Sequence, residues 1–154
     1  MDWFVRAFIK ASVAWLSAGV TLGVAMAVHP PWVIYRPAHI HLNVLGFVAM
    51  MIFGVGYHVL PRIAGHPLGH PRLAAAHWWL ANIGLALFVA GLVARAHTVA
   101  VAPAVLGAGA ALSAAGAYAF AWNIWRTLAA AGRRQASTDR GTPPRRRALP
   151  IAAH

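Results

Sequence analysis

Four histidines lie in or beside apolar sequence, and their spacing limits the chemistry open to them. His39 and His41 stand two residues apart, His58 comes 17 residues after His41, and His77 follows 19 residues later. A neutral imidazole can ligate iron, copper or zinc, or carry a proton near neutral pH. Seventeen residues of helix cover about 25 Å, so one metal ion cannot take both His41 and His58. Positions two apart on a helix point about 200° away from each other, so His39 and His41 cannot both face one iron. One can ligate while the other makes a hydrogen bond or lines a surface. Asn43 is a candidate hydrogen-bonding neighbour of that pair. His58 and His77 form a second, separate pair.

The rest of the composition leaves imidazole as the ligand type available. Cysteine is absent, which excludes disulfides, thiolate catalysis and Cys-ligated zinc, iron–sulfur or c-type haem. The acids are only Asp2 and Asp139, both outside the apolar stretches. That argues against a carboxylate relay and against a carboxylate-bridged di-metal site. His66, His70 and His154 read as solvated residues, and His29 and His97 as interfacial ones.

The elements that must position these groups are membrane helices. Residues 11–35, 37–61, 73–94 and 96–125 carry no charge, and about 20 apolar residues of helix cross a bilayer core. The expected architecture is all-α, an integral-membrane bundle of four transmembrane helices in residues 1–128. The spans are expected at about 11–28, 38–60, 75–95 and 103–126, with residues 129–154 a basic, disordered cytoplasmic tail. Pro30, Pro31 and Pro37 are expected to break the chain between the first two spans, and Pro61, Pro67 and Pro71 between the next two. Arg6 and Lys10 followed by Ala25-Met26-Ala27 also resemble a cleavable signal peptide. Trp15 and the Gly19/Gly23 face, suited to close helix packing, favour an uncleaved first span.

Charge sets the expected orientation. With the N-terminus inside, eleven Lys and Arg lie on the cytoplasmic side against Arg36 and Arg95 outside. Both termini are therefore expected in the cytoplasm, in a multi-pass protein of a bacterial-type inner membrane. A net charge of +11 can suggest nucleic acid. Here the arginines of 126–147 read better as a tail near anionic lipid, with no nucleic-acid partner. The same topology places His29, His39, His41 and His97 toward the outer side, and His58 and His77 toward the inner side.

The stretch Arg36-Pro37-Ala38-His39-Ile40-His41-Leu42-Asn43, running on to Tyr57-His58-Val59-Leu60-Pro61-Arg62, resembles the second helix of the catalytic subunit of haem–copper oxidases. It is nearest the C-type oxidases and the nitric-oxide reductases. There an Arg-Pro-x-His opens the helix, and its histidine is an axial ligand of the low-spin b-type haem. Without gaps that histidine is His39; the His-x-Asn of the nitric-oxide reductases would instead favour His41 with Asn43. His77-Trp78-Trp79-Leu80-Ala81-Asn82-Ile83-Gly84 is similar to the next helix of short, four-span subunit I-like relatives. The resemblance implies haem b, with copper the weaker alternative. It does not carry over oxygen reduction by this chain alone, because the family's copper and high-spin haem ligands lie on later helices.

Three functional classes are therefore weighed. The leading one is a membrane b-type cytochrome that transfers electrons or supports a respiratory or denitrification complex. In it His39, His41, His58 and His77 are the cofactor-binding candidates, with Asn43 beside them. Of these, His39, His41 and His77 are the metal ligands proposed. His58 and His77 are also candidates for a second haem or a quinone headgroup. The alternatives are a haem- or copper-handling assembly protein and a non-catalytic structural subunit. A homodimer would supply an outer-side ligand that one chain lacks.

Overall fold

The structure, a computed structural model, describes residues 1–141, with side chains through Thr138. The described residues form an integral-membrane bundle of four long helices: α1 (Trp3–Val28), α2 (Pro30–Ile63), α3 (Pro71–Ala96) and α4 (Ala102–Gly141). Each is long and apolar enough to cross a bilayer. Four crossings bring both described ends to one end of the bundle, called here the terminal end.

α1 begins at Trp3 rather than at the first uncharged residue. Phe4, Val5 and Phe8 of its first turns are buried, while Arg6 and Lys10 are exposed. The two cations are four residues apart and share a face, so the helix passes through them without burying charge. α4 runs on to Gly141, and its 40 residues reach about 60 Å, roughly twice a bilayer core. Of residues 129–154, expected as a disordered basic tail, 129–141 continue α4 as helix, and 142–154, with His154, lie outside the described residues.

The prolines act differently from the sequence expectation. Pro30, Pro31 and Pro37 do not hold α2 back to residue 38. They open it, in a 3-10 turn over Pro30–Tyr35 that leads into α-helix at Arg36–His41. At a helix start the missing N–H of proline has no intrahelical partner to lose. Pro61 is likewise inside α2 and buried. That helix ends instead at Gly65, whose φ of +61° turns the chain while Gly65 N–H donates to Arg62 O and His66 N–H to Pro61 O. Midway, Leu42–Ala49 widens into a π-helical stretch directly after His41. Such widened turns recur at functional sites.

The α3 and α4 backbones meet most closely. A Cβ on Gly84 would stand 2.6 Å from Ser113 N, and one on Gly91 would stand 2.7 Å from Leu106 Cα. Small residues are what allow such an approach in lipid, where packing rather than water drives association. The core sits toward the terminal end, around Phe4, Phe8, Met50, Tyr57, Ala81, Leu85 and Ile124. Val13, Val20 and Val24 of α1 and Ile52 of α2 are exposed, as lipid-facing side chains should be.

Candidate histidine sites

His39 lies in the first α-helical turns of α2 and leans on α1. Its Nδ1 is 2.8 Å from Gly19 O. A carbonyl oxygen only accepts, so Nδ1 carries the proton and Nε2 keeps its lone pair. Asn43, one turn later, donates Nδ2 to His39 O at 2.8 Å. Gly19 and Gly23 provide the room. A Cβ on Gly23 would be 2.8 Å from His39 Cε1, and one on Gly19 would be 2.6 Å from Asn43 Nδ2. The glycine pair of α1 therefore receives two polar side chains of α2.

His41 faces the other way. Its ring lies 4.8 Å from Phe88 of α3, and its Nδ1–H donates to Pro37 O of its own helix at 2.7 Å. The other imidazoles at this end have partners of their own. His97 Nε2 is 2.7 Å from the Tyr35 hydroxyl, and the His29 ring stands edge-on to Trp32 at 5.8 Å.

At the terminal end the structure does not join His58 to His77. Arg62, one turn along α2, donates to His58 O at 2.9 Å and also approaches His58 Nδ1. α2 presents Tyr57 to His77 instead, with the hydroxyl 3.0 Å from Nδ1. His77 is 0% exposed. Phe8, Phe53 and Phe120 surround its ring at centroid distances of 4.8, 4.6 and 6.0 Å. Its Nε2 is buried with no hydrogen-bond partner and faces Gly116 of α4, where a Cβ would stand 3.5 Å away. With the phenol as donor to Nδ1, the imidazole proton sits on that unpartnered Nε2.

The loop before α3 is held by two side chains of the neighbouring α4. Asn123 Oδ1 accepts from His70 N–H at 3.1 Å and its Nδ2 donates to His70 O at 2.8 Å. Thr127 Oγ1 accepts from Gly69 N–H at 3.0 Å. Both side chains are fully buried. A further cross-helix bond runs from Trp15 Nε1 to Asn82 Oδ1 at 3.0 Å.

Fit to a haem differs among His39, His41 and His77. A metal-bound imidazole usually donates its other N–H to a carbonyl or carboxylate, which sets the tautomer and the ring plane. His39 has that arrangement across a helix interface, and His41 has it within its own helix; both are half-buried. His77 is walled by aromatic rings, and a glycine backbone faces its free nitrogen. That arrangement suits a core hydrogen bond. Among the described residues, no three His, Asp or Glu side chains gather into a group that could hold a metal ion.

Sequence reasoning passed over Tyr57, Asn82, Asn123 and Thr127. The signal was present, since a polar side chain inside an uncharged membrane stretch must find a partner. The partner itself could not be read from one dimension.

Comparison with known proteins adds the family. The family model described as "Cytochrome C and Quinol oxidase polypeptide I" matches residues 4–143. The chain is similar to the Cbb3-type cytochrome c oxidase subunit CcoN1 of Stutzerimonas stutzeri, with 32% identity over 94 residues, 55% of this chain and 19% of that protein. It is also similar to cytochrome c oxidase subunit 1 of Rhodobacter capsulatus, with 29% identity over 116 residues, 59% of this chain and 22% of that one. The matched regions thus span about a fifth of the length of these curated relatives.

Proposed function

Because the chain belongs to the cytochrome c and quinol oxidase polypeptide I family, we propose that it is a membrane b-type haem protein with His39 as an axial ligand. The observation that supports this is the His39 imidazole itself, which donates Nδ1–H to Gly19 O and leaves Nε2 free at the α1–α2 interface. A b-type haem bound there would supply one-electron redox chemistry.

The residues of the chain then have distinct tasks. Gly19 O keeps His39 in the tautomer whose Nε2 can ligate and fixes the plane of its ring. Asn43 ties its amide to the backbone of His39, so the turn that carries the ligand cannot easily rotate. Apolar residues around the site keep water out and so influence the reduction potential. His41, aimed at α3, packs on Phe88. His41 faces α3 on the other side of α2 from His39, His97 is bonded to Tyr35 and His29 packs on Trp32, so the second axial ligand is assigned to a second copy or to a larger respiratory or denitrification complex.

The orientation proposed is both ends in the cytoplasm of a bacterial-type inner membrane, on the strength of eleven cations against two. A quinone headgroup is assigned to the cleft of about 460 Å³ at the terminal end, where Tyr57, His58 and Arg62 are lining residues. Reducing oxygen is not part of this proposal.

The test is an optical and pyridine-haemochrome spectrum of protein purified from haem-replete cells. Wild type should show a b-type spectrum, His39→Ala should lose it, and His77→Ala should keep it. A colourless, iron-free wild type rules the reading out. Loss of the spectrum in His41→Ala with retention in His39→Ala moves the ligand to His41.

A further inference from the structure

At the end of the bundle away from the termini, α2 opens beside the close of α3, and charge fixes the depth of both. α3 carries Arg72 and Arg95 at the two borders of its uncharged run, 73–94. They are 23 residues apart, about 35 Å of helix, a little more than a bilayer core of about 30 Å. Arg95 therefore stands at the headgroup level, as does Arg36 at the border of the uncharged run 37–61 of α2. The exposed Trp32 lies at the same end, as interfacial tryptophans do. A cleft of about 260 Å³ spans this level, lined by Ile34 and Pro37 of α2 and by Leu92, Arg95 and Ala96 of α3. The two helices run antiparallel with His41 against Phe88, so Pro37 lies level with Leu92 and Ile34 with Arg95. Leu92 is about 4.5 Å nearer the bilayer centre than Arg95. Apolar residues on the hydrocarbon side and a cation above them follow the order of acyl chain and phosphate in a phospholipid. The Tyr35 hydroxyl, 2.7 Å from His97 Nε2, ties the two walls together.

Charge supports the same occupant. Both Asp residues, the only acidic ones in the sequence, lie at the terminal end. Asp2 precedes α1, and Asp139 belongs to the last turns of α4, about 55 Å of helix from Ala102. The cleft is at the other end, so neither carboxylate reaches Arg95. The exposed Arg95 makes no hydrogen bond or ion pair among the described residues. A cation left without a protein partner at the headgroup level is suited to an anionic lipid.

We propose that the cleft between the opening of α2 and the end of α3 binds an anionic phospholipid, with Arg95 on the phosphate and Pro37 and Leu92 against the first acyl carbons. The site does not depend on haem binding. Native mass spectrometry of the purified full chain, titrated with phosphatidylglycerol or phosphatidylcholine, tests it. Phosphatidylglycerol should be retained about fivefold more strongly, the share one arginine contributes near a headgroup. Arg95→Gln should abolish that preference and Arg95→Lys should keep most of it. Arg36→Gln removes a cation at the same depth that does not line the cleft, and should leave the preference in place. Inorganic phosphate in excess should not displace the lipid. The proposal falls if Arg95→Gln retains the wild-type preference. It falls equally if Arg36→Gln loses as much, which would mean diffuse attraction to that end of the bundle, or if free phosphate displaces the lipid, which would mean a small-anion site.

Discussion

The His39 ring occupies the space into which a side chain at Gly23 would project: a Cβ there would stand 2.8 Å from His39 Cε1. The glycine is therefore part of the histidine's position, although the two residues are 16 apart in sequence. Gly23→Ala must push the ring off α1 or part the helices. Overpacking of this kind costs about 1–3 kcal/mol. Under the haem proposal, Gly23→Ala should keep its helicity and lose much of its haem absorbance per mole of protein. Unchanged absorbance would show that the ring can shift without consequence.

Tyr57 and His77 should behave as a coupled pair. Tyr57→Phe leaves the buried Nδ1 of His77 without its partner, and His77→Phe does the same to the Tyr57 hydroxyl. Each orphaned group should cost about 1–3 kcal/mol. The double variant removes both polar atoms and should be less destabilised than the two single losses added together. Unfolding titrations in mixed micelles for the three variants would measure the coupling, and additive losses would show that the 3.0 Å contact carries no energy.

Asn123 acts as a surrogate backbone for the loop before α3. Asn123→Ala would leave His70 N–H unpaired, at a cost of about 1–3 kcal/mol if it stays buried, whereas His70 O keeps the N–H groups of Leu73 and Ala74. Amide hydrogen exchange at Gly69 and His70 should rise by at least tenfold, while amides in the middle of α1 stay protected. Thr127→Val should raise exchange at Gly69 more than at His70, because only Gly69 N–H bonds the hydroxyl.

The α3–α4 contact should be the least tolerant of added volume. A Cβ on Gly84 would meet the Ser113 backbone nitrogen at 2.6 Å, and backbone cannot swing aside as a side chain can. Gly84→Ala should destabilise the bundle by about 1–3 kcal/mol. Gly107→Ala should be neutral or slightly stabilising, since nothing lies within 4 Å of its Cβ position. The order of unfolding midpoints among wild type, Gly84→Ala and Gly107→Ala checks this.

Much of the architecture could be read before any coordinates. Uncharged stretches bounded by Arg and Lys identified four spans, because a charge inside lipid is costly wherever it occurs along the chain. Proline was a poorer guide. Pro30, Pro31, Pro37 and Pro61 all lie within α2, three of them in its opening turns where no backbone bond is lost. The glycines of α1 and α3 look alike in sequence and differ in use. Gly84 admits a backbone, whereas Gly23 admits an imidazole.

What the sequence alone determined was the solvent and the helix count, because hydropathy and charge are properties of residues one at a time. What the tertiary structure decided was which histidine meets which partner. His39 reaches Gly19, His41 meets Phe88, and Tyr57 rather than its neighbour His58 meets His77. Those outcomes depend on the rotation and depth of one helix against another. A step of one residue turns a side chain by about 100°, enough to exchange a buried contact for a lipid-facing one.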